Sequence, residues 1–130
     1  MHKGFLKLAA LFGAITVILS AFGAHTLKQY LTEQSILTFE TGVRYQFYHV
    51  FALIFVGILY KEFSNKSLLW AGRMFSLGIL LFSGSLYFLS LVNLTANTGL
   101  RGVGAITPLG GACFIAGWIL LFIGVSKKPN

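Results

Sequence analysis

Long apolar runs alternate with short polar stretches along the chain. Four runs, at about residues 5–24, 42–60, 68–92 and 105–125, consist mostly of apolar side chains. Each is close to the ~20 residues that a helix needs to cross the ~30 Å hydrocarbon core of a bilayer. Lipid offers no hydrogen-bond partner to the backbone, so a spanning segment of this length is expected to be helical. We therefore predict an all-α integral membrane protein, a single domain over residues 1–130 with a bundle of four transmembrane helices.

The stretch between the first two spans is polar but retains a few large apolar residues. Leu27, Tyr30 and Leu31 suit a short amphipathic segment that lies at the membrane surface. Thr32 is a residue type that caps helices, and it predicts a helix that begins at Glu33.

The second span opens with polar side chains. Its uninterrupted apolar part, residues 50–59, covers only about 15 Å at 1.5 Å per residue, which is half of a ~30 Å core. The span must therefore draw His49 and the residues before it into the membrane, and we expect them near one interface.

Composition supports a membrane protein and argues against other classes. The chain is 56% hydrophobic and only 10% charged, with a mean hydropathy of +0.81, whereas soluble domains are about 25% charged. The net charge is +7, but the basic residues lie at the ends of apolar runs and form no basic stripe, so we predict no nucleic-acid partner. With one cysteine, Cys113, the chain forms no intrachain disulfide.

The basic residues are distributed unequally between the two sides of the predicted bundle. Cytoplasmic segments of membrane proteins are enriched in Lys and Arg. Four spans place both termini on one side, which predicts cytoplasmic N- and C-termini. The seven basic residues on that side are Lys3, Lys7, Lys61, Lys66, Arg73, Lys127 and Lys128.

Polar residues on the other side are candidates for a ligand site. Tyr45 and His49 are four residues apart and share a helix face. Ionisable residues at membrane depth often mark functional sites, although Tyr and Arg are also typical of the interfacial belt that anchors a span. Both interpretations stay open. The first predicts a pocket in the outer leaflet formed by His25, Arg44, Tyr45, His49, Tyr87 and Arg101.

Small residues and one proline predict where the helices approach closely or bend. Small side chains let helix backbones pack together in a membrane, and serine hydroxyls hydrogen-bond across helices. Proline removes a backbone donor and kinks a helix. The residues to which we assign helix packing or a kink are Gly13, Ser83, Gly84, Pro108, Gly110 and Gly111.

No pattern in the chain marks a catalytic centre. Two histidines, His25 and His49, are few for a metal site without nearby carboxylates, and no nucleophile with an adjacent base is evident. We predict a protein that is not an enzyme and has no metal or cofactor. It would bind membrane lipids, a small ligand, or a partner protein that could be a second copy of itself. The alternatives are a small oligomeric transporter or channel, and a redox protein that holds haem or quinone through the two histidines.

Four short motifs in order carry a family resemblance. They are "AFGAH" at 21–25, "YQFYH" at 45–49, "LFSGSLY" at 81–87, and "ITPLGG" at 106–111 followed by "GW". Together they resemble the domain-of-unknown-function 423 family over nearly the whole chain. These are small bacterial four-helix membrane proteins related to the animal transmembrane protein 256.

The resemblance implies a multi-pass protein of the bacterial cytoplasmic (plasma) membrane with an uncharacterised function. It supplies no catalytic assignment. The residues that it places in signature stretches are His25, Tyr45, Gln46, His49, Ser83, Ser85, Tyr87, Thr107 and Pro108.

Overall fold

Four long helical stretches make up most of the computed structural model, which describes residues 1–92 and 98–130, with side chains described up to residue 92 and from residue 102 onward. The α-helices are α1 (Lys3–His25), α2 (Glu33–Leu59), α3 (Lys66–Gly78), α4 (Gly84–Val92) and α5 (Ile106–Val125), and a π-helical segment, Ile79–Ser83, joins α3 to α4. Among the described residues, four stretches are long and apolar enough to cross a membrane: Lys3–Gln29, Glu33–Leu59, Lys66–Val92 and Gly102–Val125. The predicted all-α class with four spans is confirmed.

The start of α2 follows the predicted cap, but the helix is longer than the predicted span. Thr32 is the N-cap, and its side-chain oxygen accepts a hydrogen bond from the Ser35 amide at 3.2 Å. The helix then continues from Glu33 without a break through the start predicted near residue 42. The segment between α1 and α2 is therefore short and contains one 3₁₀ turn, Leu27–Gln29.

The early start of α2 has a packing reason. The apolar residues of its first turns pack against the turn that follows α1, so that part of the helix has a buried face of its own. This small cluster consists of Leu27, Leu31, Phe39 and Val43, with Leu19, Ile36 and Tyr87 packed against it.

The bundle is built from two helix pairs. α1 packs along α2, α3 packs along α5, and contacts of α2 with the third span join the two pairs. The main core lies between the pairs. Its buried residues are Phe5, Ala9, Phe12, Val50, Ala52, Leu53, Val56, Leu68, Ala71, Phe75, Ile79 and Phe114.

Phenylalanine rings packed on glycines bring these helices close together. A Cβ atom on Gly72 would overlap the ring of Phe5, and one on Gly78 would overlap the ring of Phe114. A Cβ atom on Gly117 would lie 2.6 Å from the ring of Phe75. In each case one helix supplies the ring and a neighbouring helix supplies a flat backbone surface, as expected where small residues set the helix separation.

The residues predicted to serve packing or a kink differ in their surroundings. A Cβ on Gly110 would lie 2.7 Å from the Cα of Phe82, whereas one on Gly84 would meet nothing within 4 Å. A Cβ on Gly13 would lie 3.6 Å from the Val50 side chain, an ordinary contact distance. Ser83 donates a hydrogen bond to the Gly42 carbonyl at 2.7 Å. Among the described glycines, the closest approach to another helix's backbone is thus at Gly110, opposite the π-helical segment.

Pro108 lies in the first turn of α5 and not in a helix interior. A 3₁₀ segment, Thr98–Ala105, leads into α5, and the change of helix type occurs at Ile106. The first amides of a helix have no partner within it, so Pro108 costs no internal hydrogen bond there.

Both termini and the loop between α2 and α3 lie at one end of the bundle. The His2 amide donates to the Gly57 carbonyl at 2.8 Å, and the Asn130 amide donates to the Glu62 carbonyl at 2.8 Å. The Lys127 ammonium donates to the Ser67 hydroxyl at 2.9 Å. The basic residues of the termini and of this loop are therefore gathered at the same end.

A substitution pair tests the close approach at Gly110. We expect Gly110→Ala to destabilise the bundle by about 1–3 kcal/mol, because the new methyl group would meet backbone atoms of Phe82 that cannot rotate away. Gly111→Ala is the matched control, since a Cβ there would lie 3.8 Å from the Phe82 ring. Unfolding of each variant in mixed detergent micelles, followed by circular dichroism, measures the difference. Equal stability of the two variants would contradict the packing described here.

Candidate functional site

Gln46 is the centre of a buried polar network that joins three helices. It lies on α2 and is 2% exposed. Its side-chain amide donates to the Phe12 carbonyl of α1 at 3.1 Å, and its side-chain oxygen accepts from the Tyr87 hydroxyl of α4 at 2.6 Å. Both ends of the amide are thus satisfied by protein, as a polar group in a membrane interior requires.

A second polar contact joins α4 to α5. The hydroxyl groups of Ser85 and Thr107 are 2.5 Å apart and share a hydrogen bond. Both residues belong to the motifs that carry the family resemblance, and so do Gln46 and Tyr87. The structure therefore gives these motif residues a common role, which is to connect helices by side-chain hydrogen bonds.

His49 is enclosed by aromatic side chains. It is 4% exposed, and its ring stacks on Phe114 with centroids 3.5 Å apart. Phe75 and Trp118 complete the contact at 5.7 and 5.9 Å between centroids. Phe114 and Trp118 lie on either side of the midpoint of α5, so His49 sits near the middle of the fourth span. This is deeper than the interface position predicted from the sequence.

The hydrogen bonds of His49 define its tautomer. The Trp118 indole nitrogen donates to Nε2 at 3.1 Å, and an indole is only a donor. Nε2 must therefore be the unprotonated nitrogen. Nδ1 lies 2.6 Å from the Tyr45 carbonyl oxygen, so it carries the proton and donates it. The ring is neutral in this arrangement, which suits a membrane interior.

This geometry bears on the proposed metal or haem ligation. A histidine binds a metal through a nitrogen lone pair, and the Nε2 lone pair of His49 is held by Trp118. Ligation would require the loss of that hydrogen bond. Within the described part of the chain, no group of three or more His, Cys, Asp or Glu side chains is arranged to hold a metal ion.

The other residues of the predicted pocket lie in different surroundings. Tyr45 is 40% exposed and packs against Phe82 with centroids 4.8 Å apart. Arg44 is exposed and donates to the Thr41 hydroxyl at 3.3 Å. His25 is exposed at the end of α1. The side chain of Arg101 lies outside the described part of the structure.

The predicted set is therefore divided among separate places. Tyr45 and His49 come together, with nearly parallel rings 6.3 Å apart. Tyr87 joins Gln46 instead, and His25 and Arg44 lie on the surface of the bundle. Sequence reasoning missed Phe114 and Trp118 as partners of His49. Trp118 stands in the quoted "GW" motif, but nothing in that motif indicates which helix face it meets.

A groove of about 300 Å³ lies where the last turns of α1 meet the first half of α2. Most of its lining is apolar, and Glu40 and Arg44 are its charged residues. Both are exposed, and a separation of four residues places them on one face of α2. The groove is lined by Ser20, Gly23, Ala24, Leu27, Leu31, Ile36, Phe39, Glu40, Val43 and Arg44.

These features define a small integral membrane protein with four helical spans, held together by glycine contacts and buried side-chain hydrogen bonds. Residues 19–111 match the family described as "Protein of unknown function (DUF423)". The chain belongs to this family, which confirms the resemblance seen in its motifs.

Curated relatives agree with this assignment. The chain is 42% identical to a UPF0382 membrane protein of Staphylococcus haemolyticus over 96% of its own length and 97% of the relative's. It is 39% identical to the UPF0382 membrane protein YwdK of Bacillus subtilis, over 96% of this chain and 98% of YwdK. It is 36% identical to the UPF0382 inner membrane protein YgdD of Escherichia coli, over 94% of this chain and 88% of YgdD.

These relatives confirm that the chain is a membrane protein of unknown function, from a family found in bacteria. No solved structure matches it.

The network around Gln46 predicts a measurable stability difference between two tyrosines. We expect Tyr87→Phe to destabilise the bundle by about 0.6–1.7 kcal/mol, the range of hydrogen bonds measured between membrane helices, because it leaves the Gln46 oxygen without its donor. Tyr48→Phe is the matched control, since Tyr48 is on α2 and 56% exposed. Unfolding in mixed micelles measures both. Equal effects of the two substitutions would show that the Tyr87–Gln46 bond contributes nothing to stability.

Proposed function

We propose that this chain is a non-enzymatic membrane protein that binds a single phospholipid in the groove between α1 and α2. The observation that carries the proposal is the lining of the groove, which combines an apolar wall with Glu40 and Arg44. Its volume of about 300 Å³ is at the lower end of the ~300–1,000 Å³ typical of small-ligand sites. In a bilayer, the molecules that reach such a groove at high concentration are lipids.

The charged residues suggest the chemistry of the headgroup. A guanidinium such as that of Arg44 binds phosphate through paired N–H donors. Glu40 lies one helical turn away and suits a primary ammonium group. The pair therefore fits a headgroup with both a phosphate and an amine, as in phosphatidylethanolamine. The apolar wall, which includes Leu27, Phe39 and Val43, would accept part of an acyl chain.

The interior of the bundle supports a packing role more than a binding role. His49 and Gln46 are both buried, and their side-chain polar atoms have protein partners. A substrate that bound either residue would have to replace those hydrogen bonds. The proposal for ligand binding therefore rests on the groove at the end of the bundle.

We also propose that both termini are cytoplasmic, which places the groove in the outer leaflet. The support is the gathering of basic residues at the end that holds both termini and the cytoplasmic preference of such residues.

The orientation predicts which engineered cysteines are reached from outside the cell. In a Cys113→Ala background, we expect a membrane-impermeant maleimide to label Gln29→Cys in intact spheroplasts, because Gln29 is exposed beside the groove end of the bundle. Asn130→Cys, at the opposite end, should be labelled only after lysis. The reverse pattern would overturn the orientation without affecting the groove itself.

Filling the groove tests lipid binding directly. We expect the protein, extracted in mild detergent, to retain phosphatidylethanolamine in native mass spectrometry. Ala24→Phe should abolish this retention, because Ala24 lines the groove and a phenyl group would occupy it. Ala21→Phe is the matched control, since Ala21 is an exposed alanine on the same helix outside the groove.

Substitutions at the charged residues extend this test to the headgroup. Glu40→Gln should lower the preference for phosphatidylethanolamine over phosphatidylglycerol, because it removes the partner of the amine. Arg44→Gln should weaken retention of both lipids. Retention that is equal in Ala24→Phe and Ala21→Phe would show that the groove is not the binding site.

A further inference from the structure

The exposed residues of α3 form one stripe along the helix. They are Lys66, Trp70 and Arg73, followed by Leu77 and then by Leu80 in the π-helical segment. Successive members are three or four residues apart, which is the spacing of one helix face. The opposite face, with Leu68, Gly72 and Phe75, is buried in the bundle. The stripe therefore faces the surrounding membrane. We call its polar and aromatic part, Lys66, Trp70 and Arg73, the α3 stripe.

Arg73 is the charged residue of this stripe that lies farthest along the helix from the loop. It lies about 10 Å along the helix from Lys66 at 1.5 Å per residue, which is far enough to enter the membrane. Side chains on a helix lean toward its N-terminus, and the Arg73 guanidinium carbon lies 4.8 Å from the centre of the Trp70 ring. The guanidinium is thus directed back toward Lys66 and the membrane surface, at the depth where tryptophan is common.

The contact with Trp70 does not satisfy the hydrogen-bonding groups of Arg73. An aromatic ring attracts the positive charge, but it offers no acceptor comparable to an oxygen anion for the five N–H donors of a guanidinium. A lipid-facing arginine is costly unless it reaches an anionic or wet partner. Phosphate matches the donors of a guanidinium in both charge and geometry.

The charges around the stripe also favour an anionic partner. The Lys127 ammonium donates to the hydroxyl of Ser67, which is next to Lys66 in the chain. The Asn130 amide is bonded to the carbonyl of Glu62, so the basic C-terminal segment lies against this loop. Each Lys or Arg near a membrane surface contributes about 1 kcal/mol to the free energy of binding anionic lipids. Glu62 is the acidic residue of this loop.

We propose that the α3 stripe binds the headgroup of an anionic phospholipid of the phosphatidylglycerol class, in the leaflet at the end that holds the termini. The headgroup phosphate lies between Lys66 and Arg73, beside Trp70. An acyl chain runs along Leu77 and Leu80, which continue the stripe toward the bilayer centre. This site is at the opposite end from the groove and uses none of its residues, so it stands or falls independently of the proposed function.

Brominated lipids test the site, because bromine quenches tryptophan fluorescence on contact. The chain has two tryptophans, so Trp118→Phe leaves Trp70 as the only reporter. The full chain is placed in nanodiscs of unlabelled phosphatidylcholine with increasing amounts of brominated phosphatidylglycerol or brominated phosphatidylcholine. We expect brominated phosphatidylglycerol to quench Trp70 at lower mole fractions than brominated phosphatidylcholine does. Arg73→Gln should raise the mole fraction of brominated phosphatidylglycerol needed for half-maximal quenching about fivefold, the effect of one basic residue at a membrane surface.

The controls separate a local site from the general attraction of a basic surface. Lys7→Gln removes one charge from the same end, but Lys7 is exposed on α1 and lies outside the stripe. It should leave the preference of Trp70 for phosphatidylglycerol unchanged, and Arg73→Lys should retain most of it. Soluble glycerophosphate at matched ionic strength should not remove the preference. If it did, the ligand would be a free phosphate compound and not a lipid.

Loss of Trp118 also removes the hydrogen bond to His49, so a second measurement uses the chain with both tryptophans. Native mass spectrometry counts the phosphatidylglycerol molecules retained by the unsubstituted protein, by Arg73→Gln and by Lys7→Gln. A loss confined to Arg73→Gln supports the site. Equal quenching of Trp70 by the two brominated lipids, or equal loss in the Arg73 and Lys7 variants, would overturn it.

Discussion

The packing of phenylalanine rings on glycines determines how closely the helices of this protein approach one another. Lipid tails are as apolar as leucine, so helices in a membrane gain little from burying apolar side chains and depend on close contact and hydrogen bonds. Phe5 packs on Gly72 and supplies that contact between α1 and α3. Phe114 on Gly78 and Phe75 on Gly117 supply it twice between α3 and α5. The backbone approach of Gly110 to Phe82 adds a further contact, where the π-helical segment faces α5.

This close packing also positions the buried polar groups. Phe114, whose ring rests on Gly78, forms the surface on which His49 stacks. The hydrogen bonds of Gln46 to α1 and α4 require those helices to lie within reach of a single side chain. A shift of either helix would leave a polar group without a partner in a medium that supplies none. The close packing of the helices and the hydrogen bonds of the buried polar side chains therefore depend on the same arrangement of the helices.

The buried polar side chains in the described part of the chain have protein partners, so both proposed ligand sites lie on surfaces at the two ends of the bundle. The ends differ in charge. One presents a groove with Glu40 and Arg44 together, and the other presents the basic α3 stripe beside the two termini. A carboxylate and a guanidinium one helical turn apart suit the zwitterionic headgroup that we propose for the groove, whereas a mainly basic surface suits an anionic one. Such asymmetry also agrees with a fixed orientation in the membrane.

The sequence by itself determined the class of protein, the four spans, the cap at Thr32 and the family, because hydrophobic length, local capping and motifs are properties of continuous segments. Only the tertiary structure decided which residues meet. The sequence prediction grouped Tyr45, His49 and Tyr87 in one pocket. The rotation of each helix about its axis instead directs His49 toward Trp118 and Tyr87 toward Gln46. The same rotation makes Gly110 a position of close approach and leaves Gly84 in open space. A single sequence does not encode that rotation locally, since it follows from the packing of all the helices together.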